Sequence, residues 1–134
     1  MNRHPSYADD DNDAAPRGLP LSPFRRVGDT IYVAGQVSRD VNGELVAPGD
    51  AGGQAEQVYA NLKVVLQAAG AEPRHVVKVT TYLVSPADSP AVTAERQRFF
   101  GEHRPPHTGL IVAALGGSEV LVEVEVVAVL PDRS

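Results

Sequence analysis

The sequence predicts an α+β fold in which two helices cover one face of a mixed β-sheet. Two segments have the spacing of amphipathic helices, and several others are rich in Val, Ile and Thr. These segments follow the order β-β-β-α-β-α-β-β, with hairpins expected at both ends. That order favours two segregated layers over a doubly wound sheet.

One domain accounts for most of the 134 residues. Residues 1–18 are acidic, contain two prolines and have no apolar periodicity, which is typical of a flexible N-terminal tail. The single domain is therefore expected to span residues 19–134.

The N-terminal third is predicted to be β-structure. The segments "FRRV" and "TIYVAGQV" flank Gly28-Asp29, a turn pair that suits a hairpin. A second turn signal, Asn42-Gly43, precedes "ELVA", which is the expected third strand.

Two helices and the strand between them follow. From about Gln54 an apolar stripe with helical spacing ends at Gly70, and it consists of Val58, Leu62, Val65, Leu66 and Ala69. The segment "HVVKVTTYLV" is a predicted strand. Ser89 is the expected cap of a second helix that has Pro90 in its first turn and ends near Phe100.

Two more strands, "TGLIVAAL" and "EVLVEVEVVAVL", are expected after the Pro105-Pro106 break, joined by Gly116-Gly117. Alternate residues of the last strand, from Val120 to Leu130, form one wholly apolar face. The other face is apolar except for Glu123 and Glu125, which the strand rise separates by roughly 7 Å. Because two helices cover only one face, we expect copies of the chain to cover the second and to leave both carboxylates at or near a cleft between subunits.

Composition excludes several classes of function. A net charge of −5 argues against a phosphate-binding nucleic-acid surface and against anionic membranes, so small molecules or protein partners are expected. The absence of Cys removes disulfides, thiolate nucleophiles and Cys-based zinc sites. No run approaches the roughly 18 apolar residues of a membrane helix, and we interpret the protein as cytoplasmic.

The residues that could carry chemistry each have a structural alternative. Glu123 and Glu125 could share acid and base roles or pair with basic side chains. His107 could move a proton or merely pack, while the prolines between it and His103 prevent the helix that a metal-binding His pair would need. Arg96 and Arg104 are more typical of a solvated face than of a ligand site. No phosphate loop or serine-nucleophile elbow is present, and neither a metal nor a cofactor is expected.

Several segments together resemble the RidA/YjgF family of reactive-intermediate deaminases, also described as endoribonuclease L-PSP-like. They run in order from about Leu19 to Val129: "RVGDTIYVAGQV", "NGELV", "NLKVVLQAAG", "VVKVTTYLV", "FFGEH" and "VEVEVVAV". The resemblance implies a chorismate-mutase-like fold and a homotrimer with ligand clefts between subunits. An acidic chain without a basic groove or stacking aromatics gives endoribonuclease activity little support.

The resemblance also locates the expected site residues. In "PPHT", His107 stands where the family has an Arg that binds the substrate carboxylate as a bidentate pair. Leu21 stands in place of a Tyr, Ala34 of a Ser and Thr93 of an Asn, whereas the Glu that orients water is retained as Glu123. The remaining residues expected around this cleft are Thr108, Leu110 and Gly109, whose N–H is a candidate oxyanion donor.

Such a cleft is expected to be low in charge and poorly suited to 2-aminoacrylate. The function we infer is hydrolysis or tautomerisation of an imine, an enamine or a related carbonyl compound, with His107 and Glu123 as catalytic residues. The alternative is a non-catalytic homotrimer that binds small ligands or protects other proteins.

Overall fold

A single five-stranded mixed sheet forms one layer of the molecule, and two helices form the other. A computed structural model describes residues 22–131, so the predicted tail at 1–18 and the site residue Leu21 lie outside the described part. In chain order the elements are β1 (Phe24–Val27), β2 (Thr30–Gln36), α1 (Ala51–Ala68), β3 (Val76–Leu83), α2 (Ser89–Phe100), β4 (His107–Ile111) and β5 (Val122–Val129). No helix within residues 22–131 is long and apolar enough to cross a membrane.

The sheet has the strand order β1-β2-β5-β3-β4. β5 is antiparallel to both of its neighbours, β2 and β3, whereas β4 lies parallel to β3 at the edge. The predicted hairpin between β4 and β5 is therefore wrong. A parallel pair needs a crossover connection, and α2 supplies it between β3 and β4. β5 then returns to the centre of the sheet, where both of its edges are paired.

The predicted third strand, "ELVA", is also absent. Only an isolated bridge between Arg39 and Leu45 forms there. The Asp40 carboxylate accepts hydrogen bonds from the backbone N–H groups of Asn42 and Glu44, and the Asp40 N–H donates to the Glu44 carbonyl. The backbone of this segment is thus satisfied within its own turn, so it does not extend the sheet.

α1 confirms its predicted stripe. All five stripe residues are buried, and Gly70 follows the helix end with φ of 83°, which a glycine adopts without strain. The helix begins at Ala51, three residues earlier than Gln54, because the side chain of Asp50 caps it by accepting from the Gly53 N–H. In α2, by contrast, Ser89 is the first helical residue and not a side-chain cap.

A buried glutamine ties α1 to the start of β5. Gln54, with no exposed surface, donates to the carbonyls of Ala47 and Glu119 and accepts from the Leu121 N–H. These bonds satisfy a polar side chain inside the core and fix where β5 enters the sheet.

The two helices cover one face of the sheet, and no described element covers the other face. On the helix-covered face the apolar row predicted for the last strand is buried, both within β5 and just outside its two ends: Val120, Val122, Val124, Val126, Ala128 and Leu130. On the other face, which we call the open face, large apolar side chains stay exposed in the described chain. Tyr32 is 52% exposed, Leu110 43% and Val129 38%.

Leu62→Ala tests the core. Leu62 has no exposed surface in α1, so we expect the shorter side chain to lower the free energy of unfolding by about 2–5 kcal/mol. Lys63→Ala, at the next and exposed position, should change it by about 0.5 kcal/mol or less. Urea denaturation at one fixed protein concentration measures both, and equal effects would contradict the packing described here.

Candidate functional site

The edge strand β4 presents its side chains alternately to the two faces of the sheet. Residues paired across neighbouring strands share a face. His107 pairs with Val79 and Gly109 with Thr81, both on the helix-covered face, whereas Leu110 pairs with Tyr82 on the open face. A candidate site at this edge therefore has two halves.

His107 belongs to the helix-covered half. Its Nε2 lies 2.9 Å from the Thr81 hydroxyl and 3.0 Å from Nη1 of Arg96, which extends from α2. Because a guanidinium can only donate, Nε2 is the acceptor in the contact with Arg96, and the imidazole is in its neutral form. Burial, with Arg96 and Lys78 next in importance, holds the pKa of His107 below its ordinary value.

A small cleft opens beside this imidazole between α2 and β4. We call it the α2–β4 cleft. It has a volume of about 90 Å³ and is lined by Arg96, Gln97, Phe100, His103, Arg104, Pro105 and His107. The imidazole of His103 is held against the carbonyl of Val76, with 2.7 Å between Nε2 and the oxygen. Arg104 donates to the carbonyls of Gly101 and His103.

Glu123 lies in the open half. It pairs with Tyr82 in β3, and its carboxylate fills a notch that Gly35 leaves in β2. A Cβ on Gly35 would lie 1.9 Å from Glu123 Oε2. The notch coincides with a bulge, because Ala34 and Gly35 together oppose the single residue Glu125 between the pairs that flank them.

The environment of Glu123 favours its protonated form. Burial, reinforced by the negative charge of Glu125, raises the pKa of Glu123 above its ordinary value. The Tyr82 hydroxyl donates to Glu125 Oε1, which holds that second carboxylate in place and raises the pKa of Tyr82. Glu123 is thus a carboxyl group suited to exchanging a proton closer to neutral pH.

The other predicted site residues are divided between the two halves. Thr108 accepts a hydrogen bond from Lys78 and lies on the open face, as does Leu110. The Val112 N–H donates to the Leu83 carbonyl of β3. Because successive N–H groups along a strand point in opposite directions, the N–H of Gly109, three residues earlier, points away from β3 to the unpaired edge of the sheet. Thr93 is half-buried one helical turn before Arg96.

Within one subunit, therefore, His107 and Glu123 do not meet. They lie on opposite faces of the sheet, so no direct proton relay connects them within the chain. Among residues 22–131, no three His, Cys, Asp or Glu side chains come together as a group that could hold a metal ion.

Sequence reasoning missed three neighbours of these residues, Thr81, Gly35 and Tyr82, and it assigned the half-buried Arg96 to a solvated face. For Arg96 a signal existed, since it shares a helical face with Thr93 and with the buried Phe100, three residues before it and four after it. A shared face with the buried Phe100 indicates that Arg96 is not fully exposed to solvent. The other three become neighbours only through strand register.

The chain is similar to known proteins along nearly its whole length. The family model "Endoribonuclease L-PSP" matches residues 14–130. A RutC family protein of Pyrococcus abyssi is 36% identical over 115 residues, which cover 85% of this chain and 90% of that protein. The 2-iminobutanoate/2-iminopropanoate deaminase of Mus musculus is 36% identical over 111 residues, 82% of this chain and 81% of the relative.

Solved structures show the same fold. RidA from the Antarctic bacterium Psychrobacter superposes with a TM-score of 0.79 at 27% identity, over 97% of this chain and 96% of that one. The YjgF gene product of E. coli gives a TM-score of 0.75 at 31% identity, over 88% and 93% of the two chains.

Fold and site together define a small α+β protein that has candidate functional side chains on both faces of its sheet, near the edge strand β4. The matching family model and these relatives place it more narrowly: the chain belongs to the RidA/YjgF family.

Glu125→Gln tests the electrostatics of the open half. The amide keeps an acceptor for Tyr82 but removes the negative charge, so the pKa of Glu123 should fall towards its ordinary value. A pH titration of the Glu123 side-chain carbon by NMR measures the shift. Glu56→Gln, on the exposed surface of α1, is the control and should leave this pKa unchanged.

The same titration has a consequence for stability. Because the folded-state pKa of Glu123 is raised, the proton on this group stabilises the folded chain below the unfolded-state pKa. That contribution is lost as the pH rises through the folded-state pKa.

An unchanged Glu123 titration in Glu125→Gln would show that the two carboxylates do not interact.

Proposed function

We propose that this protein is a small-molecule enzyme with divergent specificity within its family, which hydrolyses or tautomerises an imine, an enamine or a related carbonyl compound. The reaction takes place in clefts between the subunits of a homotrimer in the cytoplasm. It uses no cofactor and involves no nucleic acid. The substrate differs from 2-aminoacrylate, because position 107 offers an imidazole in place of a guanidinium fork.

The notch at Gly35 is the observation that carries this proposal. An acidic side chain sits there half-buried, next to a second carboxylate, with its pKa raised. Structural carboxylates in folded proteins are more often stabilised by basic partners, which lower the pKa. A carboxyl group kept easily protonated on an uncovered face is suited to general acid and base work.

The homotrimer is supported by the apolar open face. Tyr32, Leu110 and Val129 expose large apolar surfaces there, on the same face as Glu123. An uncovered apolar face of this kind favours association. Contact between copies would cover it and would bring the open half of one subunit towards the β4 edge of the next, which is how His107 and Glu123 could share one substrate.

For an imine, the proposed chemistry is hydrolysis. Ionised Glu123 takes a proton from water as the oxygen bonds to the imine carbon, and the same carboxyl group then returns a proton to the nitrogen. That addition gives a carbinolamine, whose hydroxyl proton then passes to the nitrogen as the carbon–nitrogen bond breaks, so that ammonia is released and a carbonyl compound remains. His107, neutral at pH 7 because its pKa is lowered, can accept a proton, and the Gly109 N–H can donate to the new oxygen.

Specificity follows from the chemistry of position 107. A guanidinium there would remain charged and offer two parallel donors to a carboxylate, whereas a neutral imidazole offers one. Removing one partner of such a buried charge pair costs about 2–5 kcal/mol in comparable interactions. The catalytic groups proposed here can therefore act on a substrate different from that of relatives with an arginine at this position.

His107→Ala and Glu123→Ala test the proposal directly. Each should lower imine hydrolysis by at least about 100-fold, the usual contribution of a general acid or base, and leave the trimer intact. The assay supplies imines from an amino-acid oxidase and measures their loss, while sedimentation checks the assembly. Unchanged turnover in both variants would refute the catalytic assignment.

Gly35→Ala tests the notch without altering any titratable group. The added methyl group would collide with Glu123 Oε2 and displace the carboxylate, so turnover should fall by about 10- to 100-fold with little loss of stability. Gly116→Ala is the matched control, because its Cβ meets no atom within 4 Å, and its turnover should equal that of the wild type. Equal activity in the two variants would mean that the position of Glu123 is unimportant.

The separation of His107 and Glu123 onto opposite faces favours one alternative, a trimer that binds small ligands or protects other proteins without catalysis. That function requires saturable binding and no conversion. Product detected by mass spectrometry after incubation with an imine or enamine library would exclude it.

A further inference from the structure

Two side chains from different elements contact the same nitrogen of the His107 ring. Nε2 lies 3.0 Å from Nη1 of Arg96 on α2 and 2.9 Å from the hydroxyl of Thr81 on β3. Within residues 22–131 the other ring nitrogen, Nδ1, makes no hydrogen bond, and the side chain of His107 keeps exposed surface. The ring is therefore held at one nitrogen and available to a ligand at the other.

The contact with Arg96 decides which ring nitrogen carries the proton. A guanidinium has no acceptor, so Nε2 of His107 must offer its lone pair to Nη1. A neutral imidazole has a single N–H, which then lies on Nδ1. In the opposite tautomer two N–H groups would face each other across 3.0 Å, an arrangement that forms no hydrogen bond.

Thr81 adds a second donor from the core side of the ring. Its side chain is buried in β3, and next to an unprotonated Nε2 its hydroxyl can only donate. A hydroxyl oxygen that gives its own proton to His107 still has lone pairs with which to accept a proton from another group.

The phenol of Tyr59, on α1, lies beside Thr81. Tyr59 is also buried, and within the described chain its hydroxyl has no hydrogen-bond partner of normal geometry. Burial raises the pKa of Tyr59, and the nearby Arg96 and Thr81 only partly offset the rise, so the phenol keeps its proton. A buried hydroxyl requires an acceptor, and the Thr81 oxygen is close enough to supply one. The order of donors then runs from Tyr59 to Thr81 to Nε2 of His107.

The charges around His107 also favour its neutral form. Arg96 projects from α2, Lys78 lies on β3, and His103 and Arg104 belong to the segment just before β4. The described lining of the α2–β4 cleft contains no Asp or Glu. Burial and the charges of Arg96 and Lys78 lower the pKa of His107, which opposes the protonation that would break the contact with Arg96.

We propose that Arg96 and Thr81 are positioning residues that hold His107 as the neutral tautomer with its proton on Nδ1, and that this N–H donates to an uncharged oxygen or nitrogen of the ligand. The inference rests on the proposed function only for the reaction, because the tautomer itself does not require turnover. A carbonyl oxygen or an imine nitrogen is the matching acceptor. A proton accepted by His107 would bind at Nε2 and would require Arg96 to withdraw.

Nitrogen NMR of the full chain with isotope-labelled histidine tests this inference, because correlations from the ring protons to both nitrogens distinguish the two tautomers. At pH 7 the wild-type His107 ring should carry its proton on Nδ1. Arg96→Met with Thr81→Val removes both donors and keeps their bulk, so the ratio of the Nδ1–H to the Nε2–H tautomer should fall by at least about 10-fold. A wild-type ring protonated on Nε2, or a ratio that the double variant leaves unchanged, would overturn the inference.

Two further double variants separate these hydrogen bonds from packing. Arg96→Lys with Thr81→Ser returns a donor to each position and should keep the wild-type tautomer. Arg98→Met with Thr80→Val is the matched control on the same helix and strand, and it should also keep the tautomer, because Thr80 lies on the open face. Circular dichroism checks the folding of each variant, and the wild-type spectrum can refute the inference whether or not a variant folds. Loss of the tautomer in the matched control would overturn it as well.

Imine hydrolysis distinguishes this inference from the proposed function. Arg96→Met with Thr81→Val should lower turnover by about 10-fold, since a correctly placed donor is lost, and unchanged turnover would overturn the donor role of Nδ1. A wild type that holds the proton on Nδ1 but hydrolyses no imine would uphold the tautomer and refute the enzyme. Turnover that depends on Glu123, in a protein whose His107 ring is protonated on Nε2, would do the reverse.

Discussion

The strict alternation of β5 is the constraint on which the rest of the structure depends. One row of its side chains is buried under the helices, and the intervening row includes Glu123 and Glu125. Because β5 is paired on both edges, these carboxylates cannot move to an edge and are held in the middle of the open face. Gln54 fixes the point where the strand begins, so a shift of register would cost both the core and this buried hydrogen-bond network. The position of the candidate acid is therefore a consequence of core packing.

Sequence alone predicted the parts of the fold that depend on local periodicity. The α1 stripe and the apolar row of β5 are buried as expected, since each is decided by which side chains face the core. Partner choice was less predictable. β4 is joined to β5 by the loop at residues 112–121, which contains Gly116 and Gly117, yet β4 pairs with β3, because α2 carries the chain across the helix-covered face and returns it parallel. The segment after Asn42 has strand-like composition but satisfies its backbone around Asp40. Both differences depend on hydrogen bonds that compete with pairing, and composition does not show them.

The same distinction applies to the candidate site. His107 and Glu123 could be selected by residue type and by family resemblance, but which face each occupies follows from the pairing of β3 with both β4 and β5. Arg96 illustrates the limit of position-by-position comparison. Its contact with His107 forms because α2 packs so that the side chain reaches the imidazole on β4. Arg96 lies on α2 and His107 on β4, and their spacing in the sequence does not predict that the two side chains meet.

The pKa values of the two candidate catalytic groups are shifted in opposite directions, and the separation of the groups by the sheet preserves these shifts. Burial raises the pKa of the Glu123 carboxyl and lowers that of the His107 imidazole, so the two values lie closer together than those of the same groups in water. The free-energy difference of a proton transfer between two groups falls as their pKa values approach each other. The charges differ as well, since the open half contains two carboxylates while the α2–β4 cleft is cationic. Joined within one subunit, these charges would neutralise each other and return both pKa values towards the ordinary range. The sheet between them keeps the two groups apart and so preserves both pKa shifts within the chain.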